Sequence, residues 1–253
     1  MTTSTGRAHL AHQPPTVWIR YEDNKDPLRE LPLSELRLAD FDGTVPWRRV
    51  RSVKGLDHFS GKYASMTTGG HVVYESQLEL ARLLLADFDP QVRHIYAQPC
   101  RVVARVDGKT RHHVPDFLLI TGSGTVQVVN VKPAELLADP KIAQALAWPG
   151  ELIRQHGWAY EVWSGDDPAL LKNVRFLAAY RRPGVVPTEE IDLAWETVQD
   201  GEQLASAEHR LAKALDRELH EARPPILSLV WAGRLSTDLT LPLSGEWILR
   251  RSR

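Results

Sequence analysis

The stretch that most restricts what this chain can fold into is His113–Pro133, HVPDFLLITGSGTVQVVNVKP. Two short apolar runs, Val114–Ile120 and Thr125–Val131, flank Thr121-Gly122-Ser123-Gly124, a composition that predicts two strands joined by a turn. Alternation along a strand places Val114, Asp116 and Leu118 on one face of the first strand, and Val128, Asn130 and Lys132 on one face of the second. A carboxylate, a carboxamide and an ammonium therefore meet on neighbouring strands of an otherwise apolar hairpin. Burying such groups is costly unless they pair or hold a metal. Spacing alone is equally compatible with an Asp116–Lys132 ion pair at a sheet edge.

Around this hairpin the chain alternates helical and extended signals. Thr16–Tyr21 predicts a strand. Trp47-Arg48-Arg49-Val50-Arg51-Ser52-Val53-Lys54 interleaves aromatic and basic residues. Arg48, Arg49, Arg51 and Lys54 suit a nucleic-acid backbone, and a solvated loop anchored by Trp47 fits as well. Gly55–Gly70 reads as an irregular arm. From Tyr74, apolar residues at Leu78, Leu80, Ala81, Leu84 and Leu85 predict a helix ended near Asp89-Pro90. Ser76 and Glu79 fit a capping box, and Glu75, Glu79 and Arg82 share one helical face.

Val92–Val106 contains a strand opened by Gln98-Pro99, and Asp107-Gly108 forms a hairpin turn leading into the Val114 strand. Asp139-Pro140 starts a helix that closes at Gly157. Trp158–Trp163 is a further strand and Leu170–Tyr180 a further helix. The order helix, three strands, helix, strand predicts a compact α/β unit around one mixed sheet. Past Arg181-Arg182-Pro183-Gly184, helices over Thr188–Val198 and Ser206–Glu221, an apolar segment Pro224–Trp231 and paired strands at Gly233–Leu241 and Glu246–Arg250 suggest a winged-helix module. The expected partition is an arm over 1–70, a core over 71–184 and a C-terminal module over 185–253.

Composition bounds the function classes. The 253 residues are 43% apolar, and 31 basic residues nearly balance 32 acidic ones, so a strongly electropositive protein is excluded while local basic patches are not. The single cysteine, Cys100, permits no internal disulfide and suits a reducing cytoplasm; it reads as a packed strand residue. No apolar run approaches a membrane span, and the first fifteen residues lack a signal-peptide core. A cytoplasmic protein is expected. No GxxxxGK[ST] loop is present, so the chain is not itself an ATPase.

Tyr74-Glu75-Ser76-x-Leu78-Glu79, Asp87-Phe88-Asp89-Pro90, Gln98-Pro99, Val114-Pro115-Asp116-Phe117, Val131-Lys132-Pro133 and Gly157-Trp158-x-Tyr160 occur in that order. Together they resemble the TnsA-like transposon endonucleases, accessory nuclease subunits of heteromeric transposases with a restriction-endonuclease-like core. The likeness spans roughly Arg48–Arg182, and Leu229–Ser244 is similar to the group as well. The resemblance implies a DNA endonuclease that cuts one strand at transposon ends. It implies a partner transposase of the DDE type cutting the other strand, and an ATP-dependent regulator contacted through the C-terminal module. Residue by residue, Glu79 matches the helix glutamate, Asp116 the central aspartate and Lys132 the strand lysine. Asn130 stands where most nucleases of this fold place Glu or Asp, leaving one fewer negative charge for a divalent ion.

The chemistry of those residue types agrees. Mg²⁺ takes oxygen ligands, commonly one or two carboxylates with water and phosphate. Asp116, Glu79, the Asn130 carboxamide oxygen and the Val131 carbonyl supply such oxygens, with Mn²⁺ able to substitute. Lys132 would orient the attacking water and offset charge on the phosphate. Glu75 is the alternative helix ligand, and Gln98 borders the site or satisfies a strand end. Two other readings stand beside this one: a binding subunit with a weakened nuclease site, and a restriction or repair nuclease unrelated to transposition.

Overall fold

The structure, a computed structural model, describes residues 14–22, 27–48 and 60–252. The chain forms two compact units, one of residues up to Leu80 together with Gln91–Gly165, the other of Ala81–Pro90 together with Asp166 onward. Arg49, Arg51 and Lys54 of the basic stretch lie outside the described residues.

Along the first unit run β1 (Thr16–Arg20), β2 (Leu28–Pro32), β3 (Gly61–Ser65), β4 (Gly70–Tyr74) and the first turn of α1 (Gln77–Phe88). They are followed by β5 (Val92–Ala97), β6 (Arg101–Val106), β7 (Lys109–His113), β8 (Phe117–Thr121), β9 (Val126–Val131), α2 (Ala134–Leu137), α3 (Pro140–Gln155) and β10 (Ala159–Trp163). One four-stranded sheet has the order β10-β9-β8-β5, with β5, β8 and β9 antiparallel and β10 parallel to β9. In chain order α1, β5, β8, β9, α3 and β10 reproduce the expected sequence of helix, three strands, helix and strand, and the strands form one mixed sheet. The α/β class follows directly.

Three expectations need correction. Gly55–Gly70, read as an irregular arm, holds β3 in its described part, paired antiparallel with β4. Val92–Val106 holds two strands, not one, and they belong to different sheets: β6 joins β2, β1 and β7 in a second sheet of order β2-β1-β6-β7. The chain crosses at Gln98, whose φ of 46° lies in the left-handed region that few non-glycine residues adopt. The Asp107-Gly108 turn, with φ of 51° and 74°, closes β6 onto β7 and so precedes an extra strand instead of leading directly into β8. Cys100, just ahead of β6, is buried in the core as expected, and burial pushes its thiol up to about 12.

Phe117 faces Val129 and Leu118 faces Val128 in the β8–β9 ladder. Leu118, Val126 and Val128 enter a core shared with Val17 and Ile19 of β1, Val102 and Ala104 of β6, and Trp148, Leu152 and Ile153 of α3. Each Val, Leu or Ile side chain among them stabilises the fold by about 1.5–3 kcal/mol. Phe117, Leu119, Val129 and Val131 on the opposite face are buried too, which is why both strands read as continuous apolar runs. Asp139 caps α3 by accepting from the Lys141 N–H at 2.8 Å. Gly150 lets that helix lie hard against β10, because a Cβ there would come within 2.6 Å of the Tyr160 ring.

The second unit contains the rest of α1, α4 (Pro168–Leu177), α5 (Thr188–Thr197), α6 (Leu204–Leu215) and α7 (Arg223–Trp231). Thus α4, assigned from sequence to the central region, groups with the C-terminal elements. α6 ends earlier than expected, at Asp216 with φ of 52°. The expected wing shrinks to a two-residue ladder, β11 (Leu235–Ser236) against β12 (Arg250–Arg251). Residues 225–231 of α7 are all buried, so this third helix is core and presents no face to a DNA groove. Arg251 donates to the Trp195 and Val198 carbonyls and lies over the Trp195 ring, which makes it a structural cation. Among the described residues no helix is long and apolar enough to cross a membrane.

Candidate active site

Two strand ends and one helix start build the site. Asp116 sits one residue ahead of β8, Asn130 and Val131 end β9, and Lys132 follows immediately. The Asp116 N–H donates to the Val129 carbonyl at 3.1 Å, and the Asp116 Oδ2 accepts from the Val131 N–H at 2.7 Å. That second bond turns the carboxylate back onto the neighbouring strand. The ion pair allowed by spacing is not formed: among the described residues the Lys132 ammonium has no hydrogen bond or ion pair. Its backbone N–H, given to the Trp163 carbonyl at 2.9 Å, holds Lys132 in place.

Glu79 is held by a capping arrangement at the start of α1. Its N–H donates to the Ser76 Oγ at 3.0 Å, while its carboxylate accepts from the Glu75 N–H at 2.7 Å and from the Ser76 hydroxyl at 3.2 Å. Glu75 is turned away into a 2.6 Å pair with Arg48. Arg48 is thus placed beside the carboxylates. The buried Gln98 is a strand-end bracket: its N–H donates to the Asp116 carbonyl at 2.8 Å, its carbonyl accepts from the Trp47 N–H, and its Oε1 accepts from the Arg48 N–H, each at 3.0 Å.

Electrostatics tie these groups together. Burial raises Asp116, an effect opposed by the Val131 N–H, Lys132 and Arg48 and reinforced by Glu75. Burial likewise raises Glu79, with Asp116 adding to the shift and the Glu75 N–H and Ser76 opposing it. Two carboxylates are therefore held where ionisation is costly, near a lysine that forms no ion pair among the described residues. Such sites gain from a bound cation.

Sequence reasoning missed His113. It ends β7, and its Nε2 lies 2.7 Å from Asn130 Oδ1. Burial first, then Lys132 and Arg48, lower it to about 4 against the pull of the Asn130 bond, so the ring is neutral at pH 7. The signal was in view as a histidine three residues ahead of Asp116, but its partner lies on another strand.

Among the described residues no three His, Cys, Asp or Glu side chains gather as a metal-binding group. The oxygens nearest that description are two carboxylates, an amide and a backbone carbonyl. Oxygens of these kinds suit Mg²⁺, which completes its shell with water and phosphate; Asn130 Oδ1 already accepts from His113, and among the described residues its buried Nδ2 has no partner.

Because Asp116 is raised on folding, the folded state holds its proton more tightly than the unfolded chain. The stability this contributes is present at low pH and lost as pH rises through the folded value. In metal-free buffer Asp116→Asn should therefore melt above the wild type at pH 7–8, with the gap closing as pH falls toward the ordinary 3.8. A gap independent of pH would remove desolvation of Asp116 as its cause.

No protein-family model matches the chain, and no curated protein matches it.

Proposed function

We propose that the first unit is a divalent-metal-dependent DNA endonuclease with a restriction-endonuclease-like core. The observation that carries this reading is the meeting of Asp116, Asn130 and Lys132, which has no ion pair among the described residues, at the ends of β8 and β9, with Glu79 close enough for its charge and that of Asp116 to oppose each other. More particularly, we infer a TnsA-like subunit that hydrolyses one strand at transposon ends in a Tn7-like system. A DDE-type transposase would cut the other strand, and an ATP-dependent regulator would be engaged through the C-terminal unit. The motifs in their chain order support that choice.

In this reading Glu79, Asp116, the Val131 carbonyl and the Asn130 carboxamide oxygen hold Mg²⁺ or Mn²⁺. The ion, when bound, acidifies water and offsets phosphate charge. Lys132, which forms no ion pair among the described residues, would orient the attacking water and stabilise charge on a phosphate oxygen. Arg48, at the rim, can exchange Glu75 for a DNA phosphate.

The deciding experiment is Mn²⁺-supported nicking of a transposon-end duplex by the full chain, with and without its transposase. Nicking that appears or sharpens to one position with the partner supports the reading. Single-position cutting by the chain alone favours a restriction or repair nuclease, and binding without cutting favours a weakened subunit.

Glu79 and Glu75 lie one helical turn apart, and their bonding separates them. Glu79→Gln can keep the bond from the Glu75 N–H through its amide oxygen, with its Nε2 then donating to the Ser76 Oγ, yet should lower nicking on the order of a hundredfold or more, as loss of a metal ligand exceeds loss of an outer partner. Glu75→Gln should stay within a few-fold of wild type. The reverse order in a single-turnover assay would transfer the role to Glu75.

A further inference from the structure

We propose that His113 is a positioning residue for the Asn130 carboxamide, and that the pair has two neutral arrangements between which a bound cation selects. The proposal rests on the divalent-ion reading of the site. In the arrangement seen, His113 Nε2–H donates to Asn130 Oδ1 at 2.7 Å. Asn130 is 1% exposed, and its Nδ2 is left buried without a partner, which costs about 1–3 kcal/mol.

A carboxamide presents an acceptor and a donor, and a neutral imidazole carries one of each. Half a turn of the amide lets Nδ2 donate to an unprotonated Nε2, provided the ring proton sits on Nδ1. Proton number does not change: one N–H moves between the two ring nitrogens by exchange with water, and no net charge is created. The ring itself is fixed, edge-on to Trp148 with centroids 6.1 Å apart at 83°.

The two arrangements differ in which amide atom faces away from His113. With Nδ2 outward, nothing satisfies it among the described residues. With Oδ1 outward, a hard cation can accept it, and a cation accepts only the oxygen. Ion binding therefore selects the second arrangement, and His113 supplies the acceptor that makes the turn possible. An outer partner of this kind typically changes metal affinity 10–100-fold.

The test reads the His113 ring nitrogens by ¹⁵N NMR of the full-length chain at pH 7, before and after saturation with Mg²⁺, alongside calorimetry. The Nε2–H form without ion should convert to the Nδ1–H form with it. In Asn130→Asp either oxygen accepts from Nε2–H, so the ring should keep that form throughout. His113→Gln, whose amide both donates and accepts, should hold Mg²⁺ affinity within about threefold of wild type, and His113→Leu should lose about tenfold or more. Mg²⁺ binding by wild type with the ring unchanged would overturn this proposal and leave the nuclease reading standing. No Mg²⁺ or Mn²⁺ binding in calorimetry would remove the cation site and the proposal together.

Discussion

Asp116→Asn and Lys132→Ala are each expected to slow single-turnover nicking by about 10²–10³-fold or more, the scale of losing one group that stabilises developing charge, while the fold survives. Survival follows from the bonding. Asparagine can still accept the 2.7 Å bond from the Val131 N–H through its amide oxygen. Alanine at Asp116 could not, and would leave that N–H unpaired at about 1–3 kcal/mol. Lys132 is held through its backbone N–H to the Trp163 carbonyl, so its ammonium can be removed without unpairing a strand. Nicking near the wild-type rate in either variant, or loss of cooperative melting, would remove that residue from the site.

Truncation after Pro183 should unfold much of the chain. The sequence suggests a severable core over 71–184, but Ala81–Pro90 belongs to the unit that continues from Asp166 to the C-terminus. Phe88 of α1 packs on Trp231 with ring centroids 5.2 Å apart. Asn173 of α4, 4% exposed, donates to the Leu239 and Leu241 carbonyls at 2.8 Å each. Cutting at Pro183 strips the partners of both. Each large apolar side chain exposed costs about 1.5–3 kcal/mol, and the orphaned carboxamide about 1–3 kcal/mol. A domain's whole margin is about 5–15 kcal/mol. Because α1 also carries Glu79, the loss reaches the candidate site. Circular dichroism should show lost helix and no cooperative transition; a truncated chain melting near the wild-type temperature would show residues beyond 183 to be separable.

The elements legible in advance were those set by a few adjacent residues. The β8–β9 hairpin follows from apolar runs around Thr121–Gly124, the start of α1 from Ser76 and Glu79, and the start of α3 from Asp139-Pro140. Strand alternation also put Asn130 on the face of Val128, where it is buried against β7. The sequence misled where an element's meaning depended on a distant surface. The paired strands at Gly233–Leu241 and Glu246–Arg250 have the right composition, yet only Leu235–Ser236 and Arg250–Arg251 pair.

By itself, then, the sequence determined the β8–β9 hairpin, the starts of α1 and α3 and which side chains share a face, because periodicity, turn chemistry and capping act within about one helical turn or two strand positions. Only the tertiary structure decided that β6 and β7 leave the central sheet for β1, that Arg48 reaches Glu75, that His113 meets Asn130 and that Lys132 and Asp116 form no direct ion pair. Those outcomes depend on which apolar faces cover one another. Arg48 and Glu75 are 27 residues apart and His113 and Asn130 are 17 apart, a span over which local pattern carries no information and packing alone selects the partner.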